Sequence, residues 1–153
     1  MASPTLYDHW MIEPADVRRR LIQRIEVVRR EAATRRAATS EAERDYEQFL
    51  EERAIPIFRA VAAALRPEGA LFQVFTPAGS VRLASERSRD DFIELGLETS
   101  RVPAEVVGRT SVTRGSRLLT DEQPVREGRR VAELTDEDVL EYVLRVVGPF
   151  VER

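Results

Sequence analysis

From Asp16 to Arg53 the chain contains neither glycine nor proline, and one heptad register runs through it: Leu21, Ile25, Val28, Ala32, Arg35, Thr39, Ala42, Tyr46, Phe49, Arg53. A breaker-free stretch with that period is helical, and everything else in the chain has to accommodate it. As a single helix it is about 57 Å long at ~1.5 Å per residue, more than one small core can cover. Glu13-Pro14-Ala15-Asp16 supplies a start, with proline in the first turn and carboxylates at the positive end of the dipole. Ser40-Glu41-Ala42-Glu43 matches a capping box, so a hairpin broken at Thr39-Ser40 is the competing form. The lack of a turn residue there favours one continuous helix.

The stretch is polarised in charge. Arg18, Arg19, Arg20, Arg24, Arg29, Arg30, Arg35 and Arg36 against Glu26 and Glu31 give +6 across 18–36, and residues 41–53 carry −4. Glu26–Arg30 and Glu31–Arg35 stand at the favourable i,i+4 spacing. The arginine block is a candidate for binding nucleic-acid phosphates or an acidic surface. Two features oppose that: the arginines spread around the helix, and the acidic block repels the same polyanion. Reflecting 18–36 about residue 37 lays it on 38–56, so an antiparallel pair of these helices sets basic against acidic along its length. The expected interface is Leu21, Ile25, Val28, Ala32, Tyr46 and Phe49. Hydrophobic seam residues supply affinity and the charges set register.

Downstream the period changes. Pro56 kinks the helix or begins a new one, and Ile57 to Leu65 is an apolar helix ended by Arg66-Pro67-Glu68-Gly69. Leu71 to Thr76 and Val81 to Ser85 flank the turn Pro77-Ala78-Gly79-Ser80 as a hairpin. Asp91 to Thr99 alternates as a half-buried antiparallel strand, Val106 to Thr113 is a fourth, and Arg117 to Thr120 after Gly115 is a possible fifth. Thr135 caps a last helix with a broad apolar face, which Gly148-Pro149 stops. The expected fold is α+β: a long N-terminal helical arm kinked or broken near Pro56, an antiparallel meander of four to five strands, and a C-terminal helix packed on the sheet. It divides into a docked segment at 1–15, a charge-polarised arm at 16–55 and an α+β domain at 56–153.

Among its 153 residues there is no cysteine and no lysine, and all 24 basic residues are arginine. Disulfides, thiolate metal sites, Schiff-base lysines and the P-loop lysine are thereby excluded. His9 is the one histidine, which leaves serines without a base and makes a zinc site unexpected. No GxSxG, HExxH or GxGxxG occurs. Glu94 and Glu98 share a strand face but stand ~13 Å apart along it, so a solvated face is the better reading than a metal site. No apolar run reaches a membrane span, and the N-terminus lacks a leader pattern, so the expected location is cytoplasmic.

These features point to a non-enzymatic interaction or assembly module, without cofactor or metal. It is expected to be a homo-oligomer or a component of a larger protein complex, engaging through its arm. One alternative is nucleic-acid binding by the arginine helix. The other is a small-ligand binder or enzyme on the open sheet face, where Arg82, Glu94, Glu98 and Arg109 are the candidates.

Overall fold

The computed structural model describes residues 11–152. They divide into two compact units, one up to Ala37 and one from Ala38 onward. The fold is α+β, as the sequence indicates.

Helix α1 spans Pro14–Phe49 without a break, so Thr39 and Ser40 are helical and no hairpin forms. With neither glycine nor proline there, no residue opposes the helical hydrogen-bond ladder. The helix departs from α geometry only at Leu50–Ala54, a turn of π-helix, before α2 continues over Ile55–Leu65. Ile55 N–H bonds to the Leu50 carbonyl. Pro56 explains the place of this turn: it has no N–H to offer, and its ring needs room against the preceding carbonyls. The wider turn also moves the buried stripe on by one residue. Arg53, the next heptad position, is largely exposed, whereas Ala54 and Phe58 are fully buried.

The end of α2 tightens into a single 3₁₀ turn at Arg66–Glu68 and closes on Gly69 in the left-handed region (φ 83°). Five strands follow: β1 Phe72–Phe75, β2 Ser80–Ser85, β3 Phe92–Glu98, β4 Glu105–Arg114 and β5 Arg117–Pro124. They form one antiparallel sheet in sequential order. The meander thus has its fifth strand, and that strand extends four residues beyond the expected Thr120. Helix α3 covers Asp136–Val146, and the short α4 covers Gly148–Val151.

Alternation assigns the two faces of the sheet. Val81, Leu83, Ile93, Leu95 and Val106 lie on the core face, in one cluster with Tyr46 and Phe49 of α1, Phe58 of α2 and Val139, Tyr142 and Val143 of α3. Each fully buried side chain of this size contributes roughly 1.5–3 kcal/mol. The Tyr46 hydroxyl donates to the Gly79 carbonyl at 2.8 Å, which ties the end of α1 to the β1–β2 turn. Phe150 meets the Phe72 ring edge-on at 6.0 Å and fastens the C-terminal turn, while Val151 stays exposed.

Thr135 and Asp138 form a reciprocal capping box at the start of α3. Asp138 is nearly fully buried and also receives Arg126 at 3.0 Å. Burial acts to raise its carboxyl pKa, but the hydrogen bonds with Thr135 and the Arg126 guanidinium outweigh it and hold it below the ordinary value.

Candidate functional site

In the first unit, the candidate surface is the basic part of α1. Leu21, Ile25 and Val28 are exposed and Ala32 is half-buried, and exposed Val17 extends the same stripe towards the N-terminus. On the α-helical period, Arg20 and Arg24 border one edge of this stripe. Arg18, Arg29 and Arg36 border the other, and Arg19 and Arg30 lie opposite it. All eight arginines of the block are exposed. Only Arg19 forms an ion pair among the described residues, with Asp16. The expected Glu26–Arg30 and Glu31–Arg35 pairs do not close. Exposed pairs of that kind gain too little to hold two long side chains in one geometry.

Two members of the expected interface sit elsewhere. Tyr46 and Phe49 are each 4% exposed and belong to the core of the second unit. A seam of Leu21, Ile25, Val28, Ala32, Tyr46 and Phe49 is therefore not presented as one surface. The heptad is genuine, but its C-terminal end is occupied by the protein's own sheet. Met11 and Ile12 are exposed. The rest of the expected docked segment, including His9 and Trp10, lies outside the described residues.

The second candidate is the sheet face turned away from the core. Here the strand register brings Arg82, Glu94, Arg109 and Glu122 into one row across β2, β3, β4 and β5. Arg82 donates through Nε to Glu94 Oε2, and its guanidinium lies 4.0 Å from the Phe92 ring centroid. Arg109 Nε stands 3.6 Å from Glu122 Oε2, and its Nη2 stands 3.9 Å from Glu98. Glu98 is engaged chiefly by Ser100, whose Oγ and backbone N–H both donate to Oε1; these bonds lower its pKa. Its role is to tether the β3–β4 loop.

Arg82, Glu94, Glu98 and Arg109 are thus neighbours, as the sequence grouping has them. Glu122 completes the row and escaped the sequence reading, because Thr120-Asp121-Glu122-Gln123 carries no apolar alternation. A shallow depression of about 460 Å³ is lined by the row itself together with Phe92, Ser111, Leu118 and Thr120 among others. Alternating signs neutralise the row internally, and its chemistry is to lock four strands in register. Among the described residues no cluster of carboxylates and histidine could hold a metal ion, and no helix is long and apolar enough to cross a membrane.

No family model, curated protein or solved structure matches this chain.

Proposed function

We propose that this protein is a non-enzymatic interaction module whose α1 docks an acidic, amphipathic helix from another protein. The observation that carries this reading is the stripe of Val17, Leu21, Ile25 and Val28, exposed and bordered on both sides by arginines, nearly all of which lack an acidic partner among the described residues. An apolar seam between rows of charge is the pattern of a helix that meets a helix. The sign of the rows selects the occupant. A second copy's 18–36 segment would set +6 against +6. The antiparallel register about residue 37 would need Phe49 and Tyr46 opposite Ile25 and Val28, and both are buried in the core. An acidic partner helix satisfies the apolar stripe and the arginines together.

The test uses the full-length protein and two synthetic helical peptides with leucine at the a and d positions. One carries glutamate at e and g, and the other carries lysine there. The expected result is binding of the acidic peptide only, weakened about tenfold or more (~1.4 kcal/mol) by Ile25→Arg. Equal binding of both peptides, or indifference to Ile25→Arg, would overturn the reading. So would tighter binding to duplex DNA or to anionic vesicles that falls steeply with salt and ignores Ile25→Arg, because phosphate neutralisation would then be the arm's role.

A further inference from the structure

Strand β5 is the long outer edge of the sheet; Arg117 and Asp121 put charge on its core face, but its ladder with β4 runs without a bulge. Such edges commonly carry a bulge, a proline, a covering element or inward charges. From Arg117 to Glu122 every residue is exposed, and Leu118 and Leu119, 53% and 49% exposed, stand on opposite faces. Proline appears only at position 124. From there the edge is closed: Arg145 Nη2 donates to the carbonyls of Pro124 and Val125 at 3.3 and 3.2 Å. The open edge is therefore a short, bounded segment. At the other side of the sheet, β1 has only four residues.

We infer that this edge pairs with the same edge of a second copy, antiparallel, with the two-fold axis passing at Leu119, so that two sheets join into one. The sequence of the edge selects that register. With the axis at 119, Leu119 faces its own counterpart, Arg117 faces the second copy's Asp121 twice over, and Leu118 faces Thr120. Arg117 has no ion-pair partner among the described residues, and Asp121 accepts only from the neighbouring Gln123 amide, at 2.9 Å. Moving the axis to 118 sets Arg117 against Leu119. Moving it to 120 sets Leu119 against Asp121 and Leu118 against Glu122. An axis between residues would place core-face side chains opposite open-face ones, which the pleat forbids. Parallel pairing would stack Arg117 on Arg117. Only the register at 119 opposes leucine to leucine and arginine to aspartate.

Cross-strand pairs of these types are the unit of sheet stabilisation, and an isologous contact counts each of them twice. The junction is short, so the dimer is reversible and concentration-dependent. It also sets the second copy's Leu118 beside Thr120, at the rim of the open-face depression, which then continues across the junction. This surface is separate from the helical stripe, and the inference does not depend on that reading.

Because the natural chain has no cysteine, the register can be read directly. Leu118→Cys, Leu119→Cys and Thr120→Cys are introduced singly into the full-length protein, which is then oxidised mildly. Directly opposed residues have Cα atoms ~4.5–5.5 Å apart, within disulfide reach, whereas residues 118 and 120 stand ~8 Å from their own counterparts. Leu119→Cys alone is expected to give a covalent dimer. In sedimentation, Arg117→Asp and Asp121→Arg each weaken dimerisation roughly tenfold, and the two together restore it. Circular dichroism of each variant checks the fold, and Ile25→Arg leaves the dimer unchanged. A monomer at every concentration overturns the inference, as does cross-linking that peaks at 118 or 120. A dimer lost with Ile25→Arg but indifferent to residues 117 and 121 overturns it too, and assigns self-association to the arm.

Discussion

Gly108 on β4 lies directly against the ring of Tyr142 on α3: a Cβ at position 108 would stand 1.9 Å from Tyr142 Cζ. This contact lets α3 lie close on the sheet, and the ring takes the space that a side chain on the core face of β4 would otherwise fill. Gly108→Ala is expected to destabilise the protein by about 3 kcal/mol or more, since the ring is fully buried and cannot move aside freely. Urea denaturation measures it. Tyr142→Leu is costly alone, but in the Gly108→Ala background it should recover part of the loss. Simple additivity of the two would mean that the contact is not where the cost arises.

The Tyr142 hydroxyl is buried and has no hydrogen-bond partner among the described residues. Its desolvation is uncompensated, and the ring carries the packing. Tyr142→Phe should therefore be neutral or stabilise by up to about 1–2 kcal/mol, where most core substitutions destabilise. A clear drop in the thermal midpoint would show that the hydroxyl has a partner.

Asp138 gives the protein a defined acid response. Its carboxyl pKa is held below the ordinary value in the folded protein, with burial opposing and the Thr135 hydrogen bonds and Arg126 prevailing. A depressed folded pKa means that the contribution is complete above the unfolded value of ~3.9 and is lost as pH falls through the folded value. Asp138→Asn should cost about 1–2 kcal/mol at neutral pH and should lose less stability than the parent between pH ~5 and ~2. Parallel stability–pH curves for the two proteins would contradict this.

The two ion pairs of the open-face row should differ in strength. Arg82 and Glu94 side chains are 35% and 17% exposed and the Arg82 guanidinium lies over the Phe92 ring, whereas Arg109 and Glu122 are 56% and 42% exposed and stand 3.6 Å apart. Double-mutant cycles to alanine are expected to give about 1 kcal/mol of coupling for the first pair and close to zero for the second. Equal couplings would mean that burial and the aromatic ring add nothing.

The candidate surfaces were partly legible because alternation along β2, β3 and β4 already puts Arg82, Glu94 and Arg109 on one face. What alternation does not give is which residues stand side by side across strands. That depends on the turns, and so the row and its last member Glu122 emerged only in the folded sheet. The edge at Arg117–Glu122 was obscure for a related reason. A strand exposed on both faces shows no period of two, and Leu118 next to Leu119 reads as a short apolar patch.

The sequence by itself determined the elements and their ends. The heptad without a breaker made α1, Pro56 interrupted the α geometry of the helix, the turns at Gly79 and Gly115 closed two of the hairpins, and Thr135 capped α3. Each of these depends on residues a few positions apart, whose interactions survive in any fold. Tertiary structure alone decided how those faces were used. It buried Tyr46 and Phe49 while Leu21, Ile25 and Val28 stayed exposed on the same heptad. It also turned Ala54 and Phe58 inward, and it placed Tyr142 on Gly108. In each case the deciding partner is distant in the chain, and local periodicity carries no information about a neighbour that only folding supplies.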